Sequence, residues 1–270
     1  MIVYTEHLTS PKNPRILAWR SLKERKGRLA HGAFLVEGDR MVQEALGSGF
    51  PVEALLLRAD RAKELEDPAS PGTERLSLES LPRELPVFLL SDQAFAALSD
   101  TKTPQGTAAV LGLRPLPFRG QCFVALDGLQ DPGNVGTILR TADAAGLDGV
   151  LLSPDCADVF SPKVLRASMG SIFRVGLDFP EALADRLAAL REEGYAILSS
   201  QLDGAPFYDR PDPGDKWVLV IGNEGNGVSP AVQREATMRL RLPMRGGAES
   251  LNAAVAAGIM MYDLTRDGIP

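Results

Sequence analysis

The chain has 270 residues, of which 44% are hydrophobic and 24% are charged. This globular composition is enough for one large core or two smaller ones. No apolar run approaches the roughly 20 residues that a membrane-spanning helix needs, so no such helix is predicted. The net charge of −6, taken alone, argues against a nucleic-acid partner.

The cysteines and histidines indicate no metal centre. Cys122 and Cys156 are the only cysteines, and they lack metal-ligand spacing. His7 and His31 lie far from the glycine-rich motifs described below. The first residues lack the apolar core of a signal peptide. We therefore expect a cytoplasmic protein with free thiols and no bound metal.

The N-terminal segment is basic although the whole chain is acidic. Between Pro11 and His31 the only acid is Glu24, and the cations are Lys12, Arg15, Arg20, Lys23, Arg25, Lys26 and Arg28. Local charge matters more than net charge for binding a polyanion. The segment predicts a basic helix after Pro14, which is either a solvated surface helix or a nucleic-acid contact.

Residues 1–112 predict a small α/β domain. Strands are expected at GAFLVEG, VEALLLR, PVFLL and GTAAVLG, and helices at DRMVQEALGSG and Gln93–Leu98. A stretch rich in proline and glycine, residues 66–79, is interpreted as a surface excursion. Residues 113–120, LRPLPFRG, are interpreted as a linker because two prolines interrupt them. A second domain then covers 121–270.

The second domain alternates strands and helices more regularly. Strands are expected at CFVAL, GVLLS, IFRVGL, YAILSS, WVLVIG and MRLRLP, and helices at Val135–Ala145, Pro162–Met169, Glu181–Glu193 and Leu251–Thr265. Such alternation is typical of a mostly parallel sheet that helices cover on both faces.

Two segments in this domain favour an anionic ligand. CFVALDGLQDPGNVGTILRTADAAG, residues 122–146, predicts a strand, a tight turn and a helix N-terminus whose amides can bind an anion. Arg140 lies on that helix off its apolar stripe. In SPKVLRASMGSIFRV, residues 161–175, Lys163 and Arg166 follow a capped helix start. They either contact a phosphate or carboxylate or are simply surface residues.

Two later segments place polar residues after strands. WVLVIGNEGNGVSP puts Glu224 at the carboxyl end of a strand, where open α/β sheets bind ligands. The loop lacks the P-loop and dinucleotide glycine spacings, and a tight loop with a solvated acid is the alternative. In LRLPMRGGAESLNAAVAAGIMMYDLTR, Ser250 is the expected helix cap and Asn252 falls in the first turn. The small residues that follow predict a core helix or a subunit interface.

Taken in order, these segments resemble a known family. LDGLQDPGNVGTILRTADAAG, VIGNEGNGVSP and LPMRGGAESLNAAVAAGI are similar to the three motifs of the SpoU (TrmH) branch of the SPOUT RNA methyltransferases, and SPKVLRASMGSIFRV is similar to their intervening segment. LTSPKNPRIL, LVEGDRMVQEAL and TPQGTAAV resemble the substrate-binding domain that precedes them. The resemblance covers nearly the whole chain.

The resemblance implies a fold, a cofactor and a reaction. It implies a small L30e-like RNA-binding domain followed by an α/β domain with a deep trefoil knot. It also implies S-adenosylmethionine as cofactor without a metal, a homodimer formed through the C-terminal domain, and methylation of a ribose 2′-hydroxyl. Ribosomal RNA is the expected substrate. The alternatives are a tRNA ribose methyltransferase and a non-catalytic ribosome-assembly factor.

The resemblance also assigns residues. The catalytic residues it implies are Asn134, Arg140, Glu224, Ser250 and Asn252, and the cofactor-binding residues are Gly222, Leu242, Leu251, Ser250 and Asn252. The expected RNA contacts are Lys12, Arg15, Lys23, Arg25, Lys26, Lys163 and Arg166. Because a guanidinium stays protonated, we expect Arg140 to stabilise developing negative charge, with Glu224 orienting either Arg140 or the ribose. A nicotinamide-dependent oxidoreductase is a further alternative, but its glycine fingerprint is absent.

Overall fold

A computed structural model describes residues 4–66, 76, 81 and 84–266, so most of the predicted surface excursion at 66–79 lies outside the described residues. The chain divides into two compact units. One comprises residues 1–115 and 160–165, and the other comprises 116–159 and 166–270. None of the helices in the described ranges combines the length and apolar character that crossing a bilayer requires.

The first unit has a five-stranded sheet in the order β1-β4-β3-β5-β2. Strands β1, β4 and β3 are parallel, and β5 runs antiparallel to both β3 and β2. The strands are β1 Glu6–Leu8, β2 Ala33–Glu37, β3 Val52–Arg58, β4 Val87–Leu90 and β5 Thr107–Gly112, and the helices are α1 Pro14–Ser21, α2 Arg25–His31, α3 Asp39–Leu46, α4 Ala59–Glu66 and α5 Asp92–Leu98. Each predicted strand of this half is present.

The basic N-terminal segment forms two helices. The Asn13 side chain caps α1 by accepting a hydrogen bond from the Arg15 amide at 2.9 Å. Gly27 lets α2 approach α1 closely, because a Cβ there would lie 2.0 Å from the Ser21 carbonyl oxygen. Arg28 is buried and donates to the Leu22 carbonyl oxygen at 2.7 Å. The Arg28 side chain therefore bonds the C-cap residue of α1 and is not available to a ligand.

The second unit has a six-stranded sheet in the order β11-β9-β10-β6-β7-β8, and every adjacent pair is parallel. The strands are β6 Cys122–Asp127, β7 Gly149–Leu152, β8 Gly176–Asp178, β9 Ala196–Pro206, β10 Trp217–Gly222 and β11 Met238–Arg241, and the helices are α6 Pro132–Ala144, α8 Leu183–Glu192, α9 Pro230–Gln233 and α10 Ala253–Thr265. Helix α7, Pro162–Ser168, belongs to the first unit up to residue 165 and to the second from residue 166. The predicted α/β architecture with a mostly parallel sheet is confirmed.

The strand predicted at IFRVGL, residues 172–177, is wrong in its first four residues. Ser171–Phe173 form a 3-10 helix, and strand β8 begins only at Gly176. The Ser171 hydroxyl and the Arg174 guanidinium both donate to the Asp143 carboxylate on α6, at 2.7 and 2.8 Å. These bonds hold the segment as a turn against α6, although its apolar residues suit a strand equally well.

Candidate active site

Two loops meet at the carboxyl edge of the second unit's sheet. Strands β6 and β10 are neighbours in register, with Asp127 paired to Gly222 at their ends. The loops that leave them therefore begin side by side. The Asp127 carboxylate joins the loops by accepting a hydrogen bond from the Ser229 amide at 2.6 Å. This edge of a parallel sheet is where open α/β folds bind ligands.

The loop after β10 closes on itself. Asn223 and Gly227 exchange two backbone hydrogen bonds of 2.9 Å. The Asn223 side chain accepts from the Gly225 amide at 2.9 Å and donates to the Gly128 carbonyl oxygen at 2.7 Å. A Cβ at Gly222 would lie 2.2 Å from the Gly227 carbonyl carbon, so the closure itself requires glycine at position 222. The sequence analysis interpreted these glycines as a ligand site, with a tight loop as the alternative, and it missed Asn223, although asparagine favours such turns.

Glu224, at the tip of this loop, contacts the N-terminus of α6. Its Oε1 accepts from Asn134 Nδ2 at 3.0 Å and from the Asp131 amide at 3.2 Å. Its Oε2 accepts from the Gln130 amide at 3.4 Å. Asp131 caps α6 by accepting from the Asn134 amide at 2.8 Å. Glu224 therefore orients the Asn134 side chain, while Asp131 holds the Asn134 backbone amide.

These bonds keep Glu224 ionised. Burial raises the pKa of the Glu224 carboxyl, but the hydrogen bonds from the Asn134 side chain and from nearby backbone amides outweigh it, so the pKa lies below the usual value. A carboxylate of low pKa is a weak general base at neutral pH. The structure therefore favours a positioning role for Glu224 over proton transfer.

Asn252 completes a chain of three polar side chains. Its Nδ2 donates to Asn134 Oδ1 at 3.0 Å, and its Oδ1 accepts from the Ala254 amide at 2.9 Å. Asn252 is thus the N-cap of α10, and the expected Ser250 cap is wrong. The reason is that α10 begins at Ala253, two residues after the predicted start, so Ser250 lies too far upstream. Glu224, Asn134 and Asn252 form what we call the amide cluster.

Arg140 stands apart from the amide cluster. It is exposed on α6, six residues after Asn134, which is about 240° around the helix and about 9 Å along its axis. The described residues offer it no hydrogen bond or ion pair. The expectation that Glu224 orients Arg140 is wrong for this structure, because Glu224 bonds Asn134 instead.

A cavity of about 470 Å³ opens beside the amide cluster. All five predicted cofactor residues line it, namely Gly222, Leu242, Ser250, Leu251 and Asn252, together with Glu224. Asn134 reaches the cavity only through its bonds to Glu224 and Asn252. Sequence reasoning missed Ser200–Asp203 and Arg241, which also line the cavity. No periodic pattern could have revealed them, since YAILSS and MRLRLP read as ordinary strands and residues 201–203 only follow the first of these.

The predicted RNA contacts fall into three groups. Lys12, Arg25 and Lys26 are exposed, and their side chains form no hydrogen bond or ion pair with another described residue. Arg15 forms an ion pair with Glu6, and Lys23 donates to the Ser99 carbonyl oxygen at 2.6 Å. Lys163 and Arg166 are both exposed on α7, three residues apart and so on one face.

Family models match both parts of the chain. The model described as the SpoU rRNA Methylase family matches residues 121–262. The model described as the MRM3-like substrate binding domain matches residues 13–109. The first match contains every residue of the amide cluster, Arg140 and the residues that line the cavity.

Individual relatives match over almost the full length. The chain is 36% identical over 261 residues to the 23S rRNA (guanosine(2553)-2'-O)-methyltransferase RlmP of Bacillus subtilis, covering 96% of this chain and 99% of the relative. The fold of this chain is similar to that of a putative RNA methyltransferase of the TrmH family from Porphyromonas gingivalis, with a TM-score of 0.82 and 39% identity. The match covers 95% of this chain and 98% of that one. An AdoMet-bound rRNA methyltransferase from Sinorhizobium meliloti gives a TM-score of 0.82, 29% identity and 98% coverage of each chain.

Proposed function

Because the chain belongs to the SpoU rRNA methylase family, we propose that it transfers a methyl group from S-adenosylmethionine to a ribose 2′-hydroxyl of ribosomal RNA. The observation that carries the proposal is the amide cluster, in which a loop residue, a residue of the first turn of α6 and the N-cap of α10 meet beside a cavity. The similarity to a 23S rRNA 2′-O-methyltransferase over 96% of the chain supports the substrate class.

The cavity suits the proposed cofactor in size and lining. Its volume of about 470 Å³ is in the range that encloses a small organic ligand. The loops at Gly222–Val228 and Ser250–Ala253 line it. Their glycines leave main-chain groups open to a ligand, which agrees with the backbone recognition that the family resemblance implies. AdoMet is bound in the similar Sinorhizobium meliloti protein. The proposal includes the trefoil knot that the family resemblance implies around this pocket.

The residues of the site would prepare the hydroxyl. Bound S-adenosylmethionine supplies a methyl group on a positively charged sulfur, a good leaving group that needs no metal. Asn134, locked by Glu224 and Asn252, presents a fixed amide to the ribose. Arg140 would bind a phosphate next to the target ribose and stabilise the oxygen as its proton leaves to water. Alignment of hydroxyl and methyl accounts for much of the rate.

Two features support a homodimer through the second unit. Helix α10 exposes Val255, Ile259 and Tyr262, which are 50%, 38% and 44% accessible. Their spacing of four and three residues places them on one face of the helix. An apolar face of this kind suits a subunit interface.

We also propose that the protein acts in the cytoplasm, where its RNA substrate is found.

Binding to RNA should weaken steeply with salt. The exposed cations Lys12, Arg25 and Lys26 can release counterions from phosphates, so affinity for a ribosomal RNA fragment should fall at least tenfold between 50 and 200 mM salt. Replacing all three by glutamine should flatten this dependence. Fluorescence anisotropy measures the affinity of the wild type and of the triple variant at each salt concentration. If affinity falls equally steeply with salt in both proteins, other residues bind the RNA.

Loss and return of a single methyl group would test the reaction. Ribose methylation is mapped in ribosomal RNA and tRNA from cells with the gene, without it, and complemented by it. One 23S rRNA site that disappears and returns supports the proposal. A site found in tRNA alone supports the tRNA alternative. If no site differs between the cells, the result supports a non-catalytic assembly factor. Purified protein that binds NAD and not S-adenosylmethionine in a thermal-shift assay would support the oxidoreductase alternative.

A further inference from the structure

Strand β9 has a bulge where it passes the cavity. Ser199 pairs with Arg239 on β11, but the next pair is Ala205 with Leu240. Residues 200–204, which we call the β9 bulge, therefore have no partner in that pairing. Four of them, Ser200 to Asp203, line the cavity. Bulges re-aim side chains and are frequent next to functional sites.

The close return of the strand after the bulge depends on Gly204. A Cβ at this position would lie 2.5 Å from the Leu240 amide nitrogen and 2.6 Å from the Arg239 carbonyl carbon. The sequence thus contains the one residue type that allows the strand to rejoin β11 directly after Asp203. The geometry of the bulge is a property of this sequence and places Asp203 at the cavity wall.

Charged side chains at the cavity are few. Those that line it are Asp203, Glu224 and Arg241. The Glu224 carboxylate already accepts hydrogen bonds from Asn134 and two backbone amides. Asp203 and Arg241 are both exposed, and neither has a hydrogen bond or ion pair to another described side chain. One anion and one cation are therefore available to a ligand.

The two free charges lie on adjacent strands. Arg241 is paired with Pro206, three residues beyond Asp203 on β9. An amino-acid group carries an ammonium and a carboxylate on the same carbon, so it presents both charges within a few ångströms. Arginine binds a carboxylate through two parallel N–H bonds, and aspartate accepts from an ammonium. An amino-acid zwitterion satisfies both charges, whereas a phosphate would satisfy Arg241 and be repelled by Asp203.

We propose that Asp203 and Arg241 bind the amino-acid end of the cofactor, Asp203 its ammonium and Arg241 its carboxylate. This inference rests on the proposed function, since it assumes that S-adenosylmethionine occupies the cavity. It makes the two residues determinants of cofactor recognition, separate from the amide cluster that faces the ribose. Asp203 and Arg241 therefore should not contribute to the affinity for adenosine compounds that lack the amino-acid end.

Calorimetric titration with three ligands tests the assignment. S-adenosylmethionine and S-adenosylhomocysteine share the amino-acid end, and 5′-methylthioadenosine lacks it. The variants are Asp203→Asn and Arg241→Gln, with Asp185→Asn and Arg239→Gln as controls. The control residues are exposed in the same unit and do not line the cavity. Thermal unfolding without ligand verifies that each variant folds.

We expect each cavity variant to raise Kd about tenfold for both ligands with the amino-acid end. Kd for 5′-methylthioadenosine should change less than twofold, and the controls should match the wild type. Unchanged affinity for all ligands would overturn the inference. So would an equal loss for 5′-methylthioadenosine, or a loss confined to S-adenosylmethionine, which would place Asp203 at the sulfonium. Wild-type protein that binds none of the three would overturn the proposed function itself.

Discussion

Replacement of Arg140 by alanine should lower the rate of RNA methylation about 10²–10³-fold, the usual cost of removing a group that stabilises developing charge. The side chain is exposed and has no partner among the described residues, so the melting temperature should remain close to that of the wild type. Single-turnover transfer of a labelled methyl group to the RNA measures the effect. Affinity for S-adenosylmethionine should be unchanged, since Arg140 does not line the cavity.

The lysine variant distinguishes two roles for Arg140. Lysine keeps the charge but cannot form two parallel hydrogen bonds with a phosphate. We therefore expect Arg140→Lys to remain at least tenfold slower than the wild type. Near-normal turnover would contradict the two-bond contact and leave only a charge effect. Arg239→Ala, at an exposed arginine in the same unit that does not line the cavity, is the matched control.

Replacement of Glu224 by glutamine should lower the transfer rate about 10²-fold, because one of its two acceptor oxygens becomes an NH2 donor and the charge is lost, so Asn134 and the amides before α6 are held less firmly. The pH profile separates positioning from proton transfer. The pKa of Glu224 is lowered, so the carboxyl is already ionised at neutral pH and should not titrate between pH 6 and 9. The variant should thus give a profile of the same shape at a lower level. If the wild-type profile shows a titration that the variant profile lacks, Glu224 is instead the base.

A double variant tests the hydrogen bond itself. Asn134→Asp alone places two carboxylates 3.0 Å apart and should be at least as damaging as Glu224→Gln. Combining the two exchanges donor and acceptor, and the new aspartate can still accept from Asn252. We expect the double variant to recover at least tenfold relative to Asn134→Asp. Strictly additive losses would show that the bond does not contribute to catalysis.

Sequence patterns predicted the elements well where the signal is local. The strands VEALLLR and WVLVIG coincide with β3 and β10, because continuous apolar runs suit strands buried in a sheet. The errors occurred where a long-range contact chose between two local possibilities. Residues 172–173 lie in a 3-10 helix because Ser171 and Arg174 bond Asp143, about 30 residues earlier. The cap of α10 is Asn252 and not the predicted Ser250, because α10 begins later than its apolar pattern suggests.

By itself the sequence determined the alternation of strands and helices, the polar loops after β6, β10 and β11, and the motifs that identify the family. These are properties of short segments, which hydrophobic period, capping residues and glycine spacing encode directly. Only the tertiary structure decided which side chains meet. Glu224 and Asn134 are 90 residues apart and Asn134 and Asn252 are 118 apart, yet both pairs lie within 3.0 Å. Their contact depends on the register of parallel strands and on a tightly closed loop, and these are set by packing across the whole unit.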